Sequence, residues 1–376
     1  MPVTDRALNR ATLERQSLLR RADVDVVEAV GSVGALQAQE PASPYLALWN
    51  RIEGFEAGDL DRAFADGSVL KGSLMRLTLH AVAAADFGPF RAATEPLLRA
   101  AAYNDKRYRE TGLTIEQGDE LAERIREATA EPCTREDLVG LLTEAIGGEP
   151  PAGVWRAIRY VAPIVHAPTG GPWSFERTPA FAAAPDMEAR PDAAAGLRHL
   201  VTSYLAAFGP ASVADICQFT LQRRPPVREA IDALGDELVR LEDERGTALI
   251  DLAGATLPTA ETTAPPRLLP MWDSTLLAYD DRSRIIPEAH RSHVIRRNGD
   301  CLATVLVDGW VRGVWRPVEA GIEITPLEPI DERDWAGIEA EAAALRAFLA
   351  GRDPAVYARF DRWWDRLPND GRRVVG

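Results

Sequence analysis

Cysteine is scarce in this chain. Cys133, Cys217 and Cys301 are the only three in 376 residues, and they lie far apart. Without paired spacing they read as buried thiols of a reducing compartment, not as a disulfide framework. His290 and His293 with Cys301 lack the second close pair that a zinc site needs, so no metal is expected. Lysine is scarcer still: Lys71 and Lys106 are the only two among 43 basic residues. Arginine is the better fork for phosphate oxygens, although a GC-rich genome produces the same bias. No uninterrupted apolar run approaches the roughly 18 residues of a spanning helix, and the first 21 residues are studded with charge and lack a signal-peptide core. A soluble cytoplasmic protein with no membrane contact is expected.

Acidic residues outnumber basic ones, 57 to 43. The net charge of -14 argues against a uniformly basic nucleic-acid binder. One window departs from the average: Arg282 to Gly299 holds Arg282, Arg284, Arg291, Arg296 and Arg297 against the single acid Glu288. Such density suits a solvated face or a phosphate clamp. With 46% hydrophobic residues the chain has the composition of an ordinary globular protein.

What is present, and unusual, is Leu-Gln-Ala-Gln-Glu-Pro-Ala-Ser-Pro from Leu36 to Pro44. Two uncharged amides stand one residue apart where a helix opened by Asp23 is expected to have ended, since Pro41 pushes Glu40 out of the α region. In extended chain Gln37 and Gln39 share a face and can address one small target; on a helix they diverge.

The remainder reads as α+β, with one plan used three times. Residues 1–110 carry helical patterns over Asp5 to Arg21, from Asp23, over Pro44 to Ile52 and over Asp59 to Ala65. Strands then turn about Gly72 between Val69 and Val82. Residues 111–185 carry a helix over Ile115 to Ala128, a capping box at Thr134 and Asp137, a helix over Val154 to Val161, and a hairpin pairing Pro163 to Ala167 with Trp173 to Phe175 across Gly170-Gly171. Residues 186–260 carry Leu197 to Phe208, a Ser212/Asp215 start, a helix opened by Pro226, and a hairpin of Leu238 to Leu241 with Ala248 to Leu252. Helix-turn-helix followed by a hairpin predicts tandem winged helices. Residues 261–376 are expected to be β-rich to Ile330, with the Asp308-Gly309 hairpin turn, and helical from Asp331 to Leu349 and from Pro354 to Leu367. Trp363 and Trp364 are taken as core anchors. Winged helices make nucleic acid the first partner to consider, with protein-protein contact as the alternative use of the motif.

At this point a family resemblance emerges. Val33-Gly-Ala-Leu-Gln-Ala-Gln-Glu-Pro-Ala-Ser-Pro-Tyr, Leu74-Met-Arg-Leu-Thr-Leu-His, Tyr204-Leu-Ala-Ala-Phe-Gly-Pro-Ala, Leu268-Leu-Pro-Met-Trp-Asp and Asp308-Gly-Trp-Val-Arg-Gly-Val-Trp-Arg together resemble the AlkZ-like DNA glycosylases over almost the whole chain. The resemblance implies winged helices in a C-shape around duplex DNA. It implies monofunctional excision of N7-alkylguanine, including the unhooking of interstrand crosslinks, without metal or cofactor. It puts the catalytic pair on Gln37 and Gln39, in the Gln-x-Gln form that goes with self-resistance to an alkylating natural product of the azinomycin type. Leu77, where a small residue is expected, and Ala278, where a glycine is expected, depart from the family pattern and bear on substrate preference.

The chemistry suits amides. An N7-alkylated guanine is cationic and leaves as a neutral base, so no strong general acid is needed; a positioned water and stabilisation of the oxocarbenium sugar remain. One glutamine would hold the water and the other the deoxyribose or its phosphate. Glu40 is the rival general base, and an unrelated hydrolase using Glu40 and His80 is a third reading. Asp273 is expected to be structural. Arg76, His80, Arg282, Arg284, Arg296 and Arg297 are the candidate DNA contacts, and the Asp308-Gly309 and Gly170-Gly171 turns are candidate groove probes. A bulky crosslink would not fit a snug base-flipping pocket, which points to recognition without flipping. The alternative function is a non-enzymatic winged-helix protein that binds DNA or a drug. The expected partner is double-stranded DNA carrying alkylated guanine, bound by a monomer.

Overall fold

In the computed structural model, which describes residues 2–176, 178–187, 191–367 and 371–375, local signals fix most of the elements. Helix α1 (Asp5–Arg15) starts at Thr4, whose side chain accepts from the Ala7 amide. It stops earlier than expected because Ser17 takes a positive φ of 52°. Helix α2 (Val26–Ser32) is capped by Asp25, not by Asp23. It is followed by strand β1 (Leu36–Gln37), α3 (Ala42–Trp49), α4 (Ala57–Ala65), β2 (Val69–Ser73) and β3 (Leu79–Ala83). The turn between β2 and β3 lies at residues 74–78. Gly72 is inside β2, where a Cβ would stand 2.7 Å from the Phe87 ring, so its glycine serves close packing and not a turn.

Next come α5 (Ala84–Tyr103), α6 (Lys106–Arg109), α7 (Ile115–Ala128), β4 (Cys133–Thr134), α8 (Arg135–Ile146), α9 (Ala152–Val161), β5 (Ile164–Ala167) and β6 (Ala180–Ala183). Capping boxes at Thr114/Gln117 and Thr134/Asp137 open α7 and α8. The partner of β5 is β6, with Ile164 opposite Ala183, and not the expected Trp173 to Phe175. That segment instead lies in the connection between β5 and β6, where Trp173 is buried. Because Lys71 pairs with His166, β2 and β5 join into one six-stranded sheet ordered β1-β3-β2-β5-β6-β4. A separate small core of Leu98, Tyr108, Ile125, Leu142 and Ile158 holds α5 to α9 together.

The chain continues through α10 (Ala193–Phe208), α11 (Val213–Thr220), α12 (Arg224–Leu234), β7 (Leu238–Glu242) and β8 (Ala248–Leu252). The order of three helices and a hairpin is consistent with a winged helix. Ser212 and Asp215 form the capping box of α11. The last part contains β9 (Arg267–Leu269), α13 (Ser274–Leu277), α14 (Glu288–Val294), β10 (Thr304–Val307), β11 (Trp310–Val318), β12 (Gly321–Pro326), α15 (Glu332–Ala350) and β13 (Arg373–Val375), its strands ordered β13-β12-β11-β10-β9. Two helices therefore interrupt the expected β region, and residues 358–366 form a 3-10 helix in place of an α-helix. Trp364 is fully buried, whereas Trp363 is half-buried under Arg296, Arg362 and Arg366.

Asp308 and Gly309 both have positive φ, as a two-residue hairpin requires. The tip does not project. Asp308 receives Arg6 and Arg10, and Asn9 donates to the Gly309 carbonyl at 2.8 Å. This hairpin is clamped on α1 and is not available as a groove probe; the Gly170-Gly171 turn is exposed. Among the described residues no helix is long and apolar enough to cross a membrane.

Candidate active site

The segment carrying Gln37 and Gln39 is extended, and the residue that ends the preceding helix is Gly34. Its φ of +78° stops α2 seven residues before Pro41, the residue expected to do so. Ser274 on α13 donates to the Ala35 carbonyl at 2.8 Å and fixes the exit. The chain then joins the sheet edge: Gln37 stands opposite His80, and the Ala38 amide donates to the Leu79 carbonyl at 2.8 Å. One residue later, the Leu79 amide donates to Gln39 Oε1 at 3.4 Å. Both amides thus converge on the same short stretch of β3. Gln37 is buried and Gln39 exposed.

The loop before β3 supplies the device that orients Gln37. Arg76 and Leu77 adopt φ of 52° and 58°, a conformation that costs on the order of 1–3 kcal/mol per non-glycine residue. At position 77 this left-handed φ favours glycine, so the leucine there is held in a strained conformation. The turn delivers the Arg76 guanidinium between three acceptors: Gln37 Oε1 at 3.0 Å, His80 Nε2 at 3.3 Å and the Phe219 carbonyl at 2.9 Å. The Phe219 ring lies under it at 4.7 Å. His80 is fully buried, and its Nδ1 is 3.1 Å from the Thr78 carbonyl. A carbonyl only accepts, so Nδ1 carries the proton and Nε2 is left as acceptor for Arg76. Burial and then Arg76 push the imidazole down to about 3. His80 is therefore neutral and holds Arg76; it does not reach outward. An arginine only donates, so Gln37 must present its oxygen to Arg76 and its NH₂ elsewhere.

The surroundings are cationic despite the acidic chain. Burial first and then Arg282 lower Arg76 to about 10, which places the two guanidinium groups within each other's field. Neither makes an ion pair among the described residues. On α12 and the turn before it, Arg223, Arg224 and Arg228 are exposed, and the last two are close enough to act on the Cys217 thiol of α11. These three residues, like Phe219, were not singled out from sequence. The run Arg223-Arg224-Pro-Pro-Val-Arg228 at the start of a helix-turn-helix second helix was the available signal.

The other candidate contacts are dispersed. Arg284 donates to the Pro210 carbonyl at 2.8 Å and covers the Tyr279 ring, and Arg296 donates to the Trp363 carbonyl at 3.0 Å. Both guanidinium groups are held by the fold. Arg297 is exposed. Glu40 is bonded to Arg359, with burial raising its carboxyl and Arg359 partly restoring it. His80 and Glu40 have different partners, so the hydrolase reading that pairs them has no geometric support. Asp273 caps α13 and makes a buried fork to Arg51 at 2.9 Å, the structural role expected for it. Among the described residues no group of three or more His, Cys, Asp or Glu is placed to hold a metal ion.

The family model described as DNA glycosylase AlkZ-like matches residues 30–348. A curated relative from Streptomyces sahachiroi, an interstrand DNA cross-link repair glycosylase, is 27% identical over 355 residues, covering 88% of this chain and 92% of the relative. The solved structure of Streptomyces sahachiroi DNA glycosylase AlkZ superimposes with a TM-score of 0.78 at 24% identity, over 94% of this chain and 99% of that one. With a family match running from the end of α2 to the last turn of α15, this chain belongs to the AlkZ-like DNA glycosylases.

Proposed function

We propose that this enzyme hydrolyses the glycosidic bond of N7-alkylguanine in duplex DNA, including bulky adducts and interstrand crosslinks, with Gln37 and Gln39 as the catalytic pair. The observation that carries the reading is the Gln37 amide on the edge strand of the six-stranded sheet, oriented by Arg76, which lies in the field of Arg282, with the exposed Gln39 beside it. The name of the Streptomyces sahachiroi relative, a cross-link repair glycosylase, supports the bulky end of the substrate range. The Gln-x-Gln form supports self-resistance to a DNA-alkylating natural product as the biological role.

The two amides have different tasks. The Gln37 oxygen is already committed to a guanidinium, which depletes its acceptor strength, so Gln37 acts through its NH₂ on the deoxyribose or an adjacent phosphate. Gln39 has only a long bond from the Leu79 amide and keeps a lone pair for water. The C1′–N9 electrons pass to the cationic base, which leaves neutral. Water held by Gln39 adds to the oxocarbenium carbon and releases its proton to solvent. Arg282, Arg223, Arg224, Arg228 and Arg297 contact backbone phosphates from the units at 186–260 and 261–376.

The test is incubation with duplexes carrying N7-methylguanine or an N7-linked crosslink, followed by alkali to reveal abasic sites. Release of base is expected, with Gln37→Ala and Gln39→Ala each losing most of it while still binding DNA. No abasic product from either substrate overturns the reading, and retained activity in both variants moves the site elsewhere.

A further inference from the structure

Lys71 has no hydrogen-bonding partner among the described residues. It is 4% exposed in the middle of β2, and it makes no hydrogen bond and no ion pair among the described residues. Its ammonium rests 4.0 Å from the Phe175 ring centroid. Glu40 lies near enough to act on it but is bonded to Arg359. Burying an amine without a hydrogen-bonding partner is unfavourable, and the chain uses lysine only twice. Arginine keeps its proton under nearly all conditions, whereas a lysine can enter a dry site and surrender it; burial brings Lys71 down to about 7.

The amine is aimed into a cleft of about 610 Å³ that runs from Gln39 along the seam between β2 and β5. Its walls include His166, Trp173, Phe175 and the Glu40-paired Arg359. His166 is held neutral, pushed down to about 3 by burial and by Lys71. The rings of Trp173, Phe175 and neutral His166 suit a planar aromatic group, and Lys71 beside them supplies a donor for an oxygen acceptor, while Glu40, Glu176 and Arg359 add charge to the lining. A phosphodiester would meet the carboxylates of Glu40 and Glu176 in the same lining.

We propose that this cleft receives the substituent carried on N7 of a bulky adduct, an aromatic group bearing a hydroxyl or carbonyl oxygen, and that Lys71 donates to that oxygen. The inference rests on the glycosylase reading above: if C1′ lies within reach of Gln39, whatever the same base carries is brought to the cleft rim. Lys71 then sets substrate preference and takes no part in breaking the bond.

The test uses two duplexes of one sequence, with a single N7-methylguanine or a single N7-(2-hydroxy-2-phenylethyl)guanine. Kd and single-turnover excision are measured for the wild type, Lys71→Met and Phe175→Leu. The wild type is expected to bind the phenylethyl duplex more tightly. Lys71→Met should weaken that duplex about tenfold, the effect of losing one strong hydrogen bond, and leave the methyl duplex unchanged; Phe175→Leu should act in the same direction. Equal changes on both duplexes, or none on either, overturn the inference. Failure of the wild type to release either base overturns the glycosylase reading instead, and the Kd ratio still decides the cleft.

Discussion

Replacing Lys71 with methionine is expected to make the protein more stable, and by an amount that depends on pH. The ordinary lysine value of 10.5 falls to about 7 in the folded chain because burial disfavours the charged amine, with Glu40 opposing. Each pH unit corresponds to about 1.4 kcal/mol, so the cost of carrying this side chain at neutral pH is on the order of 4 kcal/mol. Loss of the contact with the Phe175 ring returns about 1 kcal/mol. A net gain of about 2–4 kcal/mol is expected for Lys71→Met below pH 7. Between about 7 and 10.5 the unfolded chain binds the proton that the folded chain has lost, so wild-type stability climbs toward that of the variant as pH rises. The gap should be full at pH 6 and nearly gone at pH 10. Urea melts of both proteins from pH 6 to 10 measure it, and titrations shared by the two cancel in the difference. A variant less stable than wild type at pH 6, or a gap that ignores pH, would refute the assignment of Lys71 as a buried amine that no described residue hydrogen-bonds. A residue that weakens the fold while lining the site is the pattern expected where function and stability conflict.

Arg76→Met should untie Gln37 and leave His80 Nε2 without a donor; the loss of a charge-assisted hydrogen bond, about 1.5–3 kcal/mol, corresponds to a roughly 10- to 100-fold slower excision. Arg76→Lys should not restore it, because one ammonium cannot serve three acceptors in the geometry of a fork; a wild-type rate in Arg76→Met would remove Arg76 from its positioning role. Gly309→Ala puts a methyl 2.4 Å from Asn9 Oδ1 and 2.6 Å from Arg10 Nη1 at a φ of +84°, so a loss of more than about 2 kcal/mol in urea denaturation is expected. An unchanged midpoint would show that the hairpin is not clamped on α1. The pair Arg224→Ala and Arg228→Ala should flatten the plot of log binding constant against log salt by about 2 if each meets a phosphate. An unchanged slope would assign α12 to the solvent.

The local elements were legible because their signals are local. Capping boxes at Thr134/Asp137 and Ser212/Asp215, the Asp308-Gly309 turn and the periodic helices all depend on residues within a few positions of one another. Some local boundaries shifted, as at Ser17, Asp25 and Gly34, whereas the larger failures involved distant partners. Trp173 to Phe175 looked like a strand, yet β5 pairs with β6, and Trp173 in the connection packs on Tyr45 and donates to Asp353, 180 residues away. Asp308-Gly309 looked free to enter a groove, yet α1, some 300 residues earlier, closes over it.

By itself the sequence determined that two amides stand one residue apart in a segment that cannot remain helical, that the chain is α+β, and that its motifs match one glycosylase family. Tertiary structure alone decided what those amides face. Arg76 reaches Gln37 only because β1 pairs with β3 and α11 offers the Phe219 carbonyl. The partners of the pair come from elements about 40 and 180 residues away. The burial of Lys71 without a hydrogen-bonding partner among the described residues arises in the same way, from the joining of β2 to β5. Hydrogen-bond partners and burial are properties of neighbours in space, and no pattern along the chain specifies which neighbours those will be.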